Sequence, residues 1–186
     1  FITNRLRTFY HFYESVKNFY MIKQRICIVG DGLSGLMTAA VLAKVPGIEV
    51  NLIAKKGTKN ADKRTTAISD TNFKFINQNI TTLGQKSFWP SKKIELFYET
   101  SKEKINFLNL NEANSNLMYV FENDKVKSLL LKEISKSKIK LIRKDVKNLD
   151  ELKNYDLIVL CTGGHSKIYD KIIKTRPIEK NYKEIA

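Results

Sequence analysis

The run Arg25-Ile26-Cys27-Ile28-Val29-Gly30-Asp31-Gly32-Leu33-Ser34-Gly35-Leu36-Met37-Thr38-Ala39-Ala40 constrains this chain more than any other stretch. Ile26 to Val29 read as a buried strand, and the GxGxxG spacing turns that strand directly into a helix. Each glycine has its own task. Gly30 permits the tight turn, Gly32 lets the backbone approach a pyrophosphate, and Gly35 lets the helix lie close on the sheet. The helix N-terminus then offers unpaired N–H groups and the positive end of its dipole to a phosphate, with no basic side chain required. Gly35, Ala39, Ala40 and Ala43 give the helix a face of small residues. After the Pro46-Gly47 break, Val50-Asn51-Leu52-Ile53 supplies a second strand, so residues 21 to 57 spell a complete βαβ unit.

Further along, Phe73, Ile76 and Ile80 predict a short helix over 69–80, with Ser69 or Asp70 as its N-cap. Short strands are expected at 94–98 and 104–110, joined by a Lys/Glu turn and suited to an inserted antiparallel sheet. Asn123 or Asp124 is read as the cap of a second helix, whose face is Val126, Leu129, Leu130 and Ile134. A strand is expected at 139–142, and a last buried strand runs from Tyr155 to Cys161 before Thr162-Gly163-Gly164.

The net charge of +14 raises the question of nucleic acid. Lysine greatly outnumbers arginine, however, and is scattered along the chain instead of gathered with aromatics on one element, so no nucleic-acid partner is expected. Cys27 and Cys161, both in apolar strands, read as small core residues of a cytosolic protein. His11 and His165 have no metal-ligand spacing. Residues 1 to 20 carry Ile2, Leu6, Phe9, Phe12, Val16 and Phe19 at steps of three to four among basic residues. That pattern fits a membrane-surface segment, a packing helix, or residues upstream of a natural start at Met21. With Phe at position 1 and an end at Ile185-Ala186, the chain reads as a piece of a longer protein.

Four separated stretches resemble one family. They are the glycine run at 30 to 35, Asp62-Lys63-Arg64-Thr65-Thr66-Ala67-Ile68-Ser69, Tyr119-Val120-Phe121-Glu122-Asn123 with its helix, and Leu160 to Ser166. Together they resemble the N-terminal half of flavin-dependent aromatic hydroxylases, most nearly the branch acting on polyprenylated ubiquinone precursors. The resemblance covers residues 22 to 186. It implies an α/β fold, a Rossmann-like FAD-binding domain over 21–186 with an inserted antiparallel β region at about 86–118, behind an N-terminal extension at 1–20. It also implies that Gly30, Gly32, Leu33, Ser34 and Gly35 carry the FAD pyrophosphate. Arg64 would lie along the cofactor, where a guanidinium can chelate phosphate oxygens as a planar fork. Asn123 would stand near the FAD, and Thr162 and Gly163 occupy the family's Asp-Gly motif. NAD(P)H as reductant, oxygen, and a small aromatic substrate follow from the same resemblance, as does peripheral association with the inner membrane or a ubiquinone-biosynthesis complex.

Two departures stand out. The second strand ends on Ala54, Lys55 and Lys56 where an acid is expected about 20 residues past the glycines. Thr162 replaces the motif's Asp. The lysines keep open an NADP site, the fold keeps open a flavin- or NADP-binding oxidoreductase without oxygenase activity, and the two losses keep open a non-catalytic basic module on a degenerate nucleotide fold. No acid, base or nucleophile constellation is visible, as suits an enzyme whose cofactor supplies the reactive chemistry.

Overall fold

The computed structural model describes residues 23–56, 62–100, 102–163 and 168. The amphipathic segment at 1–20, Met21, His165, Ser166 and the C-terminal run at 181–186 lie outside them. In chain order the first elements are β1 (Gln24–Val29), α1 (Leu33–Leu42), β2 (Ile48–Ala54), β3 (Thr65–Ser69) and α2 (Asp70–Asn79). Then come β4 (Trp89–Ser91), β5 (Lys93–Glu99), β6 (Lys104–Asn111), β7 (Met118–Glu122), α3 (Asn123–Lys136), β8 (Lys140–Arg143) and β9 (Leu157–Leu160).

Four strands form a parallel sheet in the order β8-β2-β1-β9. Successive side chains on a strand point to opposite faces, so a sheet covered on both sides needs apolar residues at every position. Ile26 to Val29 of β1 meet that demand, and Val50 to Ala54 of β2 meet it except at the buried Asn51. Ile26, Ile28, Val50 and Leu52 face a large core with Leu36 and Ala39 of α1 and Val126, Leu130 and Ile134 of α3. Cys27, Val29 and Ile53 face a smaller cluster with Val146, Leu152 and Ile168.

The last strand is shorter than expected. Tyr155 and Asp156 precede it and Cys161 follows it; the Arg25 N–H donates to the Asp156 carboxylate at 2.6 Å in place of a strand carbonyl, and the Asn51 amide donates to the Tyr155 hydroxyl at 2.9 Å. Ladder pairing starts only at Ile26 with Leu157.

A second, antiparallel sheet has the order β3-β7-β4. The segment from Asp62 to Ser69 thus carries a strand, polar at most positions and so without an apolar signature. Ser69 caps α2 by accepting from the Asn72 N–H at 3.3 Å, as expected. The expected inserted β region divides between two sheets. β4 joins β7, whereas β5 and β6 pair with each other as an antiparallel hairpin with a register shift at Leu96/Phe97.

The expected cap of α3 needs correction. Glu122 is the N-cap residue and makes no side-chain cap, while Asn123 is the first helical residue. The cause is tertiary. The Asn123 N–H donates to the Arg64 carbonyl at 3.0 Å, which continues the β3–β7 pairing, and its side chain is engaged across that sheet.

Candidate functional site

The parallel strands β1, β2, β8 and β9 all end at one edge, and β1 stands where the chain order reverses. Open α/β sheets bind ligands in the crevice outside such carboxyl ends. A cleft of about 920 Å³ lies there, lined by Gly30 to Ser34, Ile53 to Lys56, Lys144 to Val146, Leu160 to Gly163 and Ile168. Backbone bonds fix its rim: Gly30 N–H to Ile53 carbonyl at 2.8 Å, Cys161 N–H to Val29 carbonyl at 2.8 Å, and Lys144 N–H to Ala54 carbonyl at 3.0 Å.

The three glycines divide into two classes. Gly30 has φ +114°, and a Cβ there would collide with the Cys161 carbonyl oxygen. A Cβ on Gly35 would collide with the Gly30 carbonyl oxygen and come within 3.2 Å of the Cys161 side chain. Both are required by the protein's own packing. Gly32, by contrast, has nothing within 4 Å of its absent Cβ, and its φ of −69° suits any residue. Among the described residues no atom lies where its side chain would be, so that space is open to whatever enters the cleft. Gly32 is also the N-cap of α1, with no side-chain cap and no acid in the first turn.

Thr162 supplies an independent sign. Its hydroxyl is buried and has no hydrogen-bond partner among the described residues, and it lines the same cleft. Buried polar groups are nearly always paired, so this hydroxyl is available to a group that enters the cleft. An anionic, hydrogen-bonding nucleotide fits both observations.

The cleft's charges are largely matched. Asp31, inside the glycine loop, is 2.9 Å from Arg143 and 3.9 Å from Lys127, which offsets the repulsion its carboxylate would exert on a bound phosphate. Lys55 is 3.2 Å from Asp145 and Lys144 is 2.6 Å from Glu151. Burial pushes the Cys27 thiol up to about 11 and raises that of Cys161 as well. Both shifts favour the protonated thiol over the nucleophilic thiolate. Among the described residues there is no group of His, Cys, Asp or Glu able to hold a metal ion and no helix long and apolar enough to cross a membrane.

Gly30, Gly32, Leu33, Ser34, Thr162 and Gly163 thus converge on one cleft, with Gly35 packed behind them. Arg64 and Asn123 do not line it. Arg64 makes a two-pronged ion pair with Asp62, at 2.7 and 2.8 Å. Asn123 accepts from the Thr66 hydroxyl at 2.6 Å and donates to Asp62 at 3.1 Å. This network holds β3 to the head of α3. Thr66 and Ile68 line a separate apolar groove of about 490 Å³, which shares only Leu33 and Ser34 with the glycine cleft. The first turn of α1 stands between the two.

Sequence reasoning missed Lys144, Asp145 and Val146. Their signal was the strand expected at 139–142: once it is parallel to β2, the residues after it must emerge at the same edge.

No protein-family model matches the sequence, and no curated protein matches it. Solved structures do match. The tetrameric form of 2-methyl-3-hydroxypyridine-5-carboxylic acid oxygenase superposes with a TM-score of 0.63 at 16% identity, over 81% of this chain and 42% of that one. A variant of the same oxygenase gives 0.59 at 17% identity, with the same coverage. The p-nitrophenol 4-monooxygenase PnpA from Pseudomonas putida DLL-E4 gives 0.50 at 14% identity, over 64% of this chain and 31% of that one. The likeness is one of fold, and the chain spans less than half the length of these oxygenases.

Proposed function

We propose that this chain is the nucleotide-binding part of a flavin-dependent aromatic hydroxylase and that its cleft holds the adenosine diphosphate end of FAD. The observation that carries the reading is Gly32: a residue without a side chain, at an uncapped helix N-terminus, facing space that no atom of the described residues fills. The fold shared with two oxygenases of aromatic rings and the resemblance at Asp62 to Ser69 and Tyr119 to Asn123 support the choice of FAD over other dinucleotides.

In this reading the backbone of Gly32, Leu33 and Ser34 holds the pyrophosphate through the N–H groups of the first turn of α1. The Thr162 hydroxyl gains the partner it lacks. Ile53, Val146 and Ile168 offer apolar walls. FAD, when bound, would supply the redox and oxygen-activating chemistry, with NAD(P)H as reductant and a phenolic ring as acceptor. The protein's share is placement, charge balance and exclusion of water. The finer assignment, a polyprenylated ubiquinone precursor as substrate with association at the inner membrane, rests on the sequence resemblance alone.

Titration of FAD into the wild-type protein and into Gly32→Val, followed by flavin fluorescence, tests the reading. A side chain at Gly32 holds the backbone away from the phosphates, so affinity falls roughly tenfold or more, with the thermal transition unchanged. Equal FAD binding by both proteins would falsify the assignment of this loop.

A further inference from the structure

Dinucleotide folds hold the adenosine ribose with an acid at the end of the second strand. Here that position is Ala54, which is 2% exposed and cannot serve. We propose that Asp145, from the turn after β8, holds the ribose hydroxyls in its place; the inference rests on the cleft being an adenosine-nucleotide site.

The register brings the residue there. β8 is the parallel neighbour of β2 on the side away from β1, with Arg143 opposite Ala54. The Lys144 N–H donates to the Ala54 carbonyl at 3.0 Å, which pins the exit of β8 against the end of β2. Asp145 follows directly and lines the cleft. The acid absent from the end of one strand is thus present one residue past the pinned exit of the next.

Chemistry selects it over the alternatives. The other carboxylate lining the cleft, Asp31, is inside the glycine loop and held by Arg143 at 2.9 Å. Asp145 is bonded only to Lys55 among the ion pairs seen, at 3.2 Å, and both side chains are more than half exposed. An ion pair so exposed is a weak restraint and opens readily to a ligand. A carboxylate accepts at both oxygens and so can take both O–H donors of a ribose diol. Lys55 beside it offsets the negative charge near the pyrophosphate, while the Asp145 carboxylate, placed at the ribose, would repel a 2′-phosphate. The site therefore favours an unphosphorylated ribose.

Calorimetric titration of the 186-residue protein with ADP, 2′-deoxy-ADP and 2′-phospho-ADP, in wild type, Asp145→Ala and Asp145→Asn, tests the proposal. Wild type should bind ADP about tenfold tighter than 2′-deoxy-ADP, as for a hydrogen bond to a charged group. Both variants should lose most of that preference and bind 2′-deoxy-ADP within about twofold of wild type. The exposed side chain makes misfolding of the variants improbable, and melting curves verify it. A preference for ADP that survives both substitutions overturns the role of Asp145, as does tighter binding of 2′-phospho-ADP by wild type. Failure of wild type to bind any of the three overturns the nucleotide reading of the cleft itself, and the inference with it.

Discussion

Strands β1 and β6 each carry four apolar residues, yet their fates differ. In β1, Ile26, Cys27, Ile28 and Val29 are each 5% exposed or less. In β6, Ile105, Phe107 and Leu110 are each more than 40% exposed. What separates them is the layer above and below. β1 lies between two parallel neighbours with helices on one face and a small apolar cluster on the other, whereas β5 and β6 form a two-stranded ribbon exposed along its length. A ribbon of two strands gains little by itself, since hydrophobic stabilisation follows the area removed from water. Apolar content alone does not make a core; stacked layers do.

The largest effect should come from the tightest point of the buried region. Gly35→Val forces a side chain into the Gly30 carbonyl, backbone that cannot step aside, and should cost more than about 3 kcal/mol of unfolding free energy. Urea denaturation measures it, and a loss under about 1 kcal/mol would mean that α1 can lift off the loop freely.

Leu130, fully buried, and Leu108, 39% exposed, make the comparison directly. Leu130→Ala should lose about 2–5 kcal/mol, and Leu108→Ala less than about 1 kcal/mol. Equal losses would show that the hairpin is packed against something in solution.

Between these regions sits the polar network at the head of α3. Asn123→Ala leaves the Thr66 hydroxyl and Asp62 each short of a partner and should cost about 1–2 kcal/mol by thermal denaturation. No measurable change would indicate that water replaces the amide at no cost.

The smallest effect concerns pH. Hydrogen bonds from Arg64 first, and then from Asn123, hold the Asp62 carboxyl well below the usual carboxylate range. A depressed folded-state pKa contributes stability that is complete above the unfolded value of about 3.9 and lost as pH falls through the folded one. Asp62→Asn should therefore lower stability at neutral pH and flatten its fall below about pH 4, so that variant and wild type converge in acid. A carboxyl resonance of Asp62 titrating near 4 in the NMR spectrum would contradict the network.

Much of the parallel half was legible because its signals are local and redundant. β1 announces itself by an unbroken apolar run and β2 by one broken only at Asn51, and the glycine spacing fixes both the turn and the helix. Ser69 as a cap needed only its own side chain. Asn123 misled because Asn at a helix start is commonly a cap, and nothing local reveals that β3 would arrive to claim its side chain. Arg64 is ambiguous for a related reason. A guanidinium can fork onto a phosphate or onto a carboxylate two residues away, and Asp62 was already in the sequence.

The sequence by itself determined the βαβ unit, the glycine turn, the missing acid at Ala54 and the exchange of Asp for Thr162, since each is a matter of which residue stands at which spacing. The tertiary structure decided which strand ends share an edge, and hence that Asp145 reaches the cleft while Arg64 and Asn123 do not line it. It also decided that Gly30 and Gly35 serve packing whereas Gly32 faces open space. Spacing along a chain is fixed by covalent geometry, but what lies within a few ångströms of a side chain depends on strand order and register, which only the assembled sheet sets.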